Sequence, residues 1–312
     1  MELKGGSFRN LSGFVSPGFR RKLSSRNYRG RRRGVERKPS LDTPAALDSE
    51  HAIQMAGAKG EDQKIVDLTI VLPIRDEAAV LAEVLNDLGV VTRFSVEIVA
   101  LIDTRSTDRS AQILEEYAAG LSGENNLPIL RIISLVPPRC GSGTARAIGS
   151  RESRGELIAW MDADGTYSAI DLRRLVNAIG AADQVVGARS CDFGPAGGLR
   201  FFVKSAVARM AALLWHRIDL VDLNSGLRIF RRNSLLVWVD ELPPGFSCTT
   251  TATLAALNHG QRVRFEPISY FPRAPGAKSK FHPLLDTARL LRVLWRQWRK
   301  KSKMSHSAHG RA

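Results

Sequence analysis

Leu157-Ile158-Ala159-Trp160-Met161-Asp162-Ala163-Asp164 is the stretch on which the fold turns. Five apolar residues follow Glu156 and end on two carboxylates one residue apart, the pattern of a buried strand emptying into a loop. Two carboxylates at such a strand end can share a hard divalent cation. Mg²⁺ or Mn²⁺ takes one or two carboxylates with substrate phosphates in preference to an all-protein cage. Asp162 and Asp164 are therefore candidate metal ligands and a handle for a nucleotide diphosphate. The competing reading is a solvated turn closed by Gly165, since short acidic turns with Gly are common loop punctuation.

Outward from this stretch, strand and helix signals alternate. Strands are expected over 66–74, 96–102, 129–135 and 157–161, with a strand-like run over 184–187 and another strand over 263–270. Helices are expected over 77–88, 106–119 (capped by Ser106 or Thr107), 144–154 and 171–179. Strands spaced by such helices imply βαβ units: an α/β fold with a Rossmann-like, mostly parallel sheet and helices on both faces. Ligands of such sheets bind outside the carboxyl ends of the strands. Arg75 to Glu77, Asp103 and the Asp162/Asp164 pair all fall there, so three strand ends deliver polar groups to one rim.

The net charge of +15 sits at the two ends. Residues 1–40 hold 12 Lys and Arg against two Glu, and residues 281–312 hold eight against one Asp. Removing both ends from the total leaves about −2 for residues 41–280. A near-neutral middle with basic ends argues against a nucleic-acid-binding face, and no aromatic-basic interleaving supports one. Residues 1–60, rich in Ser, Gly and Arg with little to bury, read as a disordered basic arm. Cys140, Cys191 and Cys248 are odd in number and lack any C-x-x-C pair, which argues for a reducing compartment and against a disulfide frame or a zinc site. No apolar run approaches the roughly 18 residues of a membrane span. The longest candidate, 199–215, is broken by Arg200, Lys204 and Arg209. The N-terminus lacks a secretory h-region, so the expected location is cytoplasmic. His216, His259 and His282 share no ligand spacing and receive no role.

Taken in order, the segments resemble family 2 glycosyltransferases of the GT-A fold. Pro73-Ile74-Arg75-Asp76-Glu77 is similar to the family's P-x-x-N-E opening, and Asp103-Thr104-Arg105-Ser106-Thr107-Asp108 to its D-D-G-S-T-D turn. Gly141-Ser142-Gly143-Thr144-Ala145-Arg146 resembles G-K-G-x-A-x, and Met161 to Gly165 the metal motif. Val186-Gly187-Ala188-Arg189 resembles the V-G-S-R strand, and Asp222 to Phe230 the D-x-x-S-G-x-R-x-F segment. Pro272-Arg273 and Gly276-Ala277-Lys278-Ser279-Lys280 are similar to the R-x-x-G-K-S-K ending of the dolichol-phosphate mannose synthase-like branch. The resemblance covers residues 66–282 and implies a nucleotide-sugar donor, UDP- or GDP-linked, with Mg²⁺ or Mn²⁺ at Asp162 and Asp164. It implies Pro73, Arg75, Glu77, Asp103, Gly143, Arg146 and Asp162 at the donor, and Asp164, Arg189 and Arg228 in catalysis. Asp164 is the stronger direct ligand, with Asp162 reaching the ribose, or the metal through water. Thr104 and Arg105 replace the second Asp and the Gly of the turn, and Ser142 stands where Lys is common. These departures bear on base selectivity and on one phosphate contact.

The acceptor can be argued from chemistry. An alcohol needs a carboxylate base near neutral pH. Hydroxyl-using relatives often carry it on the helix after the Gly-Phe-Ser region, which here reads Cys248-Thr249-Thr250-Thr251-Ala252-Thr253-Leu254, without an acid. A phosphomonoester, with a second pKa near 6, needs no such base. Both this and the Lys278/Lys280 loop point to a phosphate nucleophile, which the resemblance to the dolichol-phosphate mannose synthase-like branch implies is a polyprenyl phosphate; Arg273, Lys278, Ser279 and Lys280 are the candidates to hold it, with Arg189 and with Arg200 and Lys204 as further candidates. The 283–312 tail is expected as an amphipathic basic helix. Leu284, Leu285, Ala288, Leu291, Trp295 and Trp298 fall on one face beside a stripe of Arg289, Arg292, Arg296, Arg299 and Lys300, which suits an anionic membrane surface; the competing reading is an ordinary C-terminal helix docked on the domain with its cations in solvent. The expectation is an inverting, metal-dependent transferase, peripheral on the cytoplasmic face of a membrane. Its alternatives are a hydroxyl acceptor (a glycan or small phosphorylated acid) with Asp219, Asp222, Asp240 or Glu241 as base, and an inactive GT-A scaffold.

Overall fold

The computed structural model describes residues 66–89, 95–121, 128–189, 198–272 and 283–309. The basic arm expected over 1–60 lies outside them, as does Cys191. The strands are β1 (Leu68–Ile74), β2 (Val96–Asp103), β3 (Ile129–Leu135), β4 (Leu157–Trp160), β5 (Gln184–Arg189), β6 (Arg228–Arg231) and β7 (Val263–Ile268). The helices are α1 (Leu81–Leu88), α2 (Ser110–Gly120), α3 (Ser142–Glu152), α4 (Ala169–Asn177), α5 (Gly198–Trp215), α6 (Arg232–Leu236), α7 (Cys248–Asn258) and α8 (Pro283–His309).

The strands form one sheet in the order β3-β2-β1-β4-β6-β5-β7, in which β6 alone runs antiparallel to its neighbours. The parallel strands read as continuous apolar runs because both sheet faces are covered. One core packs β1, β2 and β4 under α1, α2 and α4, and a second packs the other face under α3, α6 and α7. A third, smaller cluster joins α5, α7 and α8 through Val207, Ala211, Trp215, Leu254 and Leu294. Pro73 sits two residues beyond the last β1–β4 pair, Val71↔Trp160, so its missing N–H costs the sheet nothing there.

Two helices start later than the sequence predicts, for one shared reason. The hydroxyl of Ser106 accepts from Asp76 N (2.7 Å), and Asp76 Oδ1 accepts from Thr107 N (2.7 Å). Ser106 and Thr107 therefore tie the β1 loop to the β2 loop and do not cap α2. In return Ser110 Oγ and Asp108 Oδ2 accept from Glu77 N (3.0 Å) and Ala78 N (2.8 Å), which delays α1 to Leu81. α4 starts two residues before the expected position because Ser168 caps it, its hydroxyl accepting from Asp171 N at 3.1 Å.

Candidate active site

β4 ends at Trp160, and the carboxylates of Asp162 and Asp164 follow on the rim. Antiparallel β6 begins at Arg228 opposite both Trp160 and Val186, so the 222–227 segment crosses the same rim. Gly226 lies against Asp162 so closely that a Cβ there would collide with the carboxylate. Gly226 N donates to the Tyr167 hydroxyl at 2.8 Å, which fixes the approach. From α3, Arg146 donates to Asp162 Oδ1 at 2.5 Å and lies 5.6 Å from the Trp160 ring centre. Arg146 is 2% exposed. Burial disfavours its charge, but the Asp162 carboxylate outweighs that and holds the proton more tightly than usual. Asp164, also buried, accepts from Thr166 Oγ1 at 2.6 Å and from Thr166 N at 3.2 Å.

Among the described residues, two of the buried side-chain polar atoms without partners belong to Gln184 at the start of β5, and the other three lie on α3 and in the 222–227 segment. Ser142 Oγ, Arg146 Nε and Ser225 Oγ have none among the described residues. Ser142 and Arg146 are one turn apart on the same face of α3, and Ser225 precedes Gly226. Orphaned buried groups are rare enough that three at one rim mark spare capacity for a ligand rich in oxygen. Among the described residues no three His, Cys, Asp or Glu gather to hold a metal. Two carboxylates fit an Mg²⁺ or Mn²⁺ ion that completes its shell with phosphate oxygens.

Arg189, the last residue of β5, forms a fork with Asp222 (2.7 and 2.9 Å) and lies 5.2 Å from the Tyr270 ring centre. Tyr270 meets Tyr167 edge-on at 5.4 Å, so one connected group runs from Asp222 to Asp162. Burial pushes the Asp222 carboxyl up, but Arg189 beside it pulls it below its ordinary range. Arg228 is fully buried and donates to Ser225 O, Leu223 O and Thr253 Oγ1 at 2.7–2.8 Å. Its partners are all neutral, and burial pulls it down to about 10. It holds the 222–227 segment in place and offers no open face to a substrate.

At the end of β2, Asp103 is gripped by Arg105 through Nε (2.9 Å) and Nη2 (2.6 Å). That hydrogen-bonded fork lowers its pKa to about 2. The carboxylate expected to receive a base or ribose donor thus already has a partner, supplied by the residue that replaces the family's Gly. Arg75 lies 3.6 Å from Asp76 and is half-exposed beside this turn. The amide of Gly143 donates to Pro244 O at 2.9 Å, and a Cβ on Gly143 would collide with Pro243 O. The glycine turn is therefore braced from behind by Pro243-Pro244, and the Gly143 N–H is engaged.

Asp162, Arg146 and the 222–228 segment come together in contact, with Asp164 two residues beyond Asp162 and Gly143 one turn before Arg146 on α3; Arg189 joins through the tyrosines; Pro73, Arg75, Glu77 and Asp103 line the neighbouring strand ends. Arg200 and Lys204 fall in the first part of α5, at positions where only the backbone is described. Arg273, Lys278, Ser279 and Lys280 lie outside the described residues. Sequence reasoning missed Tyr167, Tyr270 and Pro243-Pro244; an aromatic three residues after the carboxylate pair and a Pro-Pro pair before Gly-Phe-Ser were the available signals.

The sheet, its reversed sixth strand and the carboxylate pair on the rim are those of the GT-A fold. The chain belongs to glycosyl transferase family 2, whose model matches residues 69–236. It is similar to the glycosyltransferase AglJ of Haloferax volcanii, 26% identical over 73% of this chain and 71% of that one. An uncharacterised glycosyltransferase of Mycobacterium tuberculosis is 31% identical over 68% of this chain and 88% of its own. The undecaprenyl-phosphate mannosyltransferase of Micrococcus luteus is 29% identical over 44% and 59%. Among solved structures, Mycobacterium tuberculosis glucosyl-3-phosphoglycerate synthase, in complex with Mn²⁺, UDP-glucose and phosphoglyceric acid, superposes with a TM-score of 0.57 at 19% identity. That match covers 75% of this chain and 80% of that one. The protein is thus an enzyme that transfers sugar. No helix among the described residues is long and apolar enough to cross a membrane.

Proposed function

We propose that this enzyme is an inverting transferase that moves a sugar from a UDP- or GDP-linked donor to a polyprenyl phosphate at a membrane surface. One observation carries the acceptor class: each carboxylate considered as a base for an alcohol is paired with a cation. Asp222 is forked by Arg189, Asp219 by Arg217, Asp240 by Arg151, and Glu241 by Lys300 at 2.8 Å. Asp219, Asp222 and Glu241 are all held below their ordinary range, which makes them weaker bases. The threonines of α7 are committed as well: Thr250 Oγ1 donates to Asn224 Oδ1 at 2.8 Å, and Thr253 Oγ1 accepts from Arg228. A phosphomonoester acceptor removes the need for a base, because it is largely dianionic near neutral pH.

In this reading an acceptor oxygen forms a bond to the sugar C1 as the bond from C1 to the donor diphosphate breaks. The diphosphate leaves with the electron pair, and no proton is transferred. Asp164, supported by Thr166, and Asp162, held by Arg146, would bind Mg²⁺ or Mn²⁺, which supplies Lewis-acid stabilisation of the departing charge. Arg146 and Arg189 balance the charges of Asp162 and Asp222, and Arg228 fixes the 222–227 segment against the rim. Arg273, Lys278, Ser279 and Lys280, with Arg200 and Lys204, form the proposed acceptor clamp. The relative from Micrococcus luteus supports this acceptor class.

The membrane half of the reading rests on α8. Leu291, Trp295 and Trp298 are exposed at 44%, 53% and 41%, and Arg289, Arg292, Arg296 and Arg299 are exposed beside them. An apolar Trp face flanked by cations suits the headgroup boundary of a bilayer. The proposed division of the chain is a basic arm over 1–60, the transferase domain over 61–282 and the helix and tail over 283–312.

The test is transfer of radiolabelled sugar from a panel of UDP- and GDP-sugars to undecaprenyl phosphate with Mg²⁺ or Mn²⁺. A metal-dependent, organic-soluble product, absent with Asp164→Ala, is expected. Donor hydrolysis without lipid product would move the acceptor to a hydroxyl, and no turnover of any donor would favour the inactive scaffold.

A further inference from the structure

The Asp162 carboxylate is confined from two sides. On one, Arg146 donates to Oδ1 at 2.5 Å from α3. On the other, Gly226 lies so close that a Cβ there would collide with Oδ2. Asp162 therefore cannot turn toward the 222–227 segment, and its orientation depends on what keeps Gly226 in place.

That support comes from the loop that carries Asp162 itself. The buried amide of Gly226 donates to the Tyr167 hydroxyl at 2.8 Å. Tyr167 stands three residues after Asp164, so the contacts close a ring: from Asp162 along the loop to Tyr167, across to Gly226, and back to Asp162. The backbone on each side of Tyr167 is fixed, because Thr166 O accepts from Phe271 N at 3.0 Å and Ser168 caps α4. Its ring is 5% exposed, belongs to the core under α1, α2 and α4, and meets Tyr270 edge-on.

The peptide between Ser225 and Gly226 is thus held at both ends. Its carbonyl accepts from Arg228 Nε at 2.8 Å, and its N–H donates to Tyr167. Arg228 also binds Leu223 O, and Arg189 forks Asp222, so the segment keeps its other anchors when Tyr167 lets go. The Tyr167 bond is the one that sets the tilt of the peptide facing Asp162.

We propose that Tyr167 is a positioning residue for the metal site, holding Asp162 through Gly226 in the orientation that a divalent cation at Asp162 and Asp164 requires. The proposal rests on the metal reading above and adds to it a residue that acts through Gly226 and not by contact with cation or donor. Small hard cations tolerate little departure from their coordination geometry, so the tilt of one carboxylate is read directly in affinity. Residues that orient a ligand in this way typically change metal affinity by about 10–100-fold when removed.

The experiment is Mn²⁺ binding to the full chain, followed by electron paramagnetic resonance of the free ion, with UDP and with GDP. Wild type is expected to bind. Tyr167→Phe keeps the ring and removes the acceptor, and should weaken Mn²⁺ binding by about tenfold or more. Tyr117→Phe is the control: it removes a comparable bond against the same core, from the Tyr117 hydroxyl to Leu85 O at 3.0 Å, and should leave Mn²⁺ binding unchanged. Gly226→Ala moves the same carboxylate without altering Tyr167, and should weaken Mn²⁺ binding as well. Wild-type affinity in folded Tyr167→Phe or in Gly226→Ala would overturn the proposal. An equal loss in Tyr117→Phe would also overturn it, by assigning the effect to general loosening of the core. Failure of wild type to bind Mn²⁺ with either nucleotide would instead remove the metal reading on which the proposal depends.

Discussion

The donor rim and the outer face of α8 handle charge in opposite ways. On the rim, Arg146, Asp164 and Arg228 are buried, and the nearest partners are fixed over long sequence separations: Arg146 with Asp162, Arg189 with Asp222, Arg228 with Thr253. On α8, Arg289, Arg292, Arg296 and Arg299 stand exposed beside Trp295 and Trp298. A site that stabilises charge developing at one atom gains from groups that cannot reorganise, because they act without relaxation at the moment of reaction. A surface that meets a fluid bilayer gains from charges that remain hydrated until contact and act without fixed direction. Substitutions should therefore be severe and specific on the rim and milder on the outer face of α8.

The largest expected effect on the rim is from Asp164→Ala. Loss of several kcal/mol of charge stabilisation should lower turnover by about 10³-fold with little change in Tm. Single-turnover kinetics beside a melting curve would check it, and a loss of turnover matched by unfolding would remove the ligand role. Arg189→Ala should act on stability instead. It leaves Asp222 charged and buried without its fork, at a cost of about 3–5 kcal/mol in denaturant unfolding. Arg189→Ala/Asp222→Asn should recover part of that cost, and no recovery would mean the fork is not the source.

Gly226→Ala forces a Cβ into the Asp162 carboxylate. A displacement of about 1 Å there should reduce turnover by about 10²-fold, seen in kcat more than in donor KM. The smallest effect belongs to Arg105→Ala. Asp103 has a folded pKa of about 2, below its ordinary value, so its pairing contributes stability above about pH 4 and loses it as pH falls through about 2. The stability difference between wild type and Arg105→Ala should be constant above pH 4 and vanish towards pH 2. With the carboxylate released, preference between UDP- and GDP-sugars should shift as well. An unchanged preference would place Arg105 outside base selection.

The same contrast explains what could be read in the sequence. β1 to β4 were legible because strands buried on both faces are written as apolar runs, and the rim was legible because parallel strands end there together. The amphipathic character of α8 was legible from its 3.6-residue period. The pairings were not. Arg146 with Asp162, Gly226 with Tyr167 and Gly143 with Pro244 depend on which loops the sheet order brings together, and no local pattern encodes them. The starts of α1 and α2 were misplaced for a related reason: Ser106, Thr107 and Asp108 match helix-cap chemistry, but their hydrogen bonds go across to the β1 loop. Arg228 shows the limit of a motif read as a role, since its fully buried guanidinium supports a loop from within.

The central claim is transfer to a phosphate without a protein base, and the pH dependence of kcat/KM with undecaprenyl phosphate tests it most directly. The account predicts a rise through about pH 6, following the acceptor's second ionisation, then a plateau to pH 8 that is unchanged in Glu241→Gln and Asp240→Asn. A profile that keeps rising above pH 7, or one whose ascending limb is lost in either variant, would contradict it and return the acceptor to a hydroxyl.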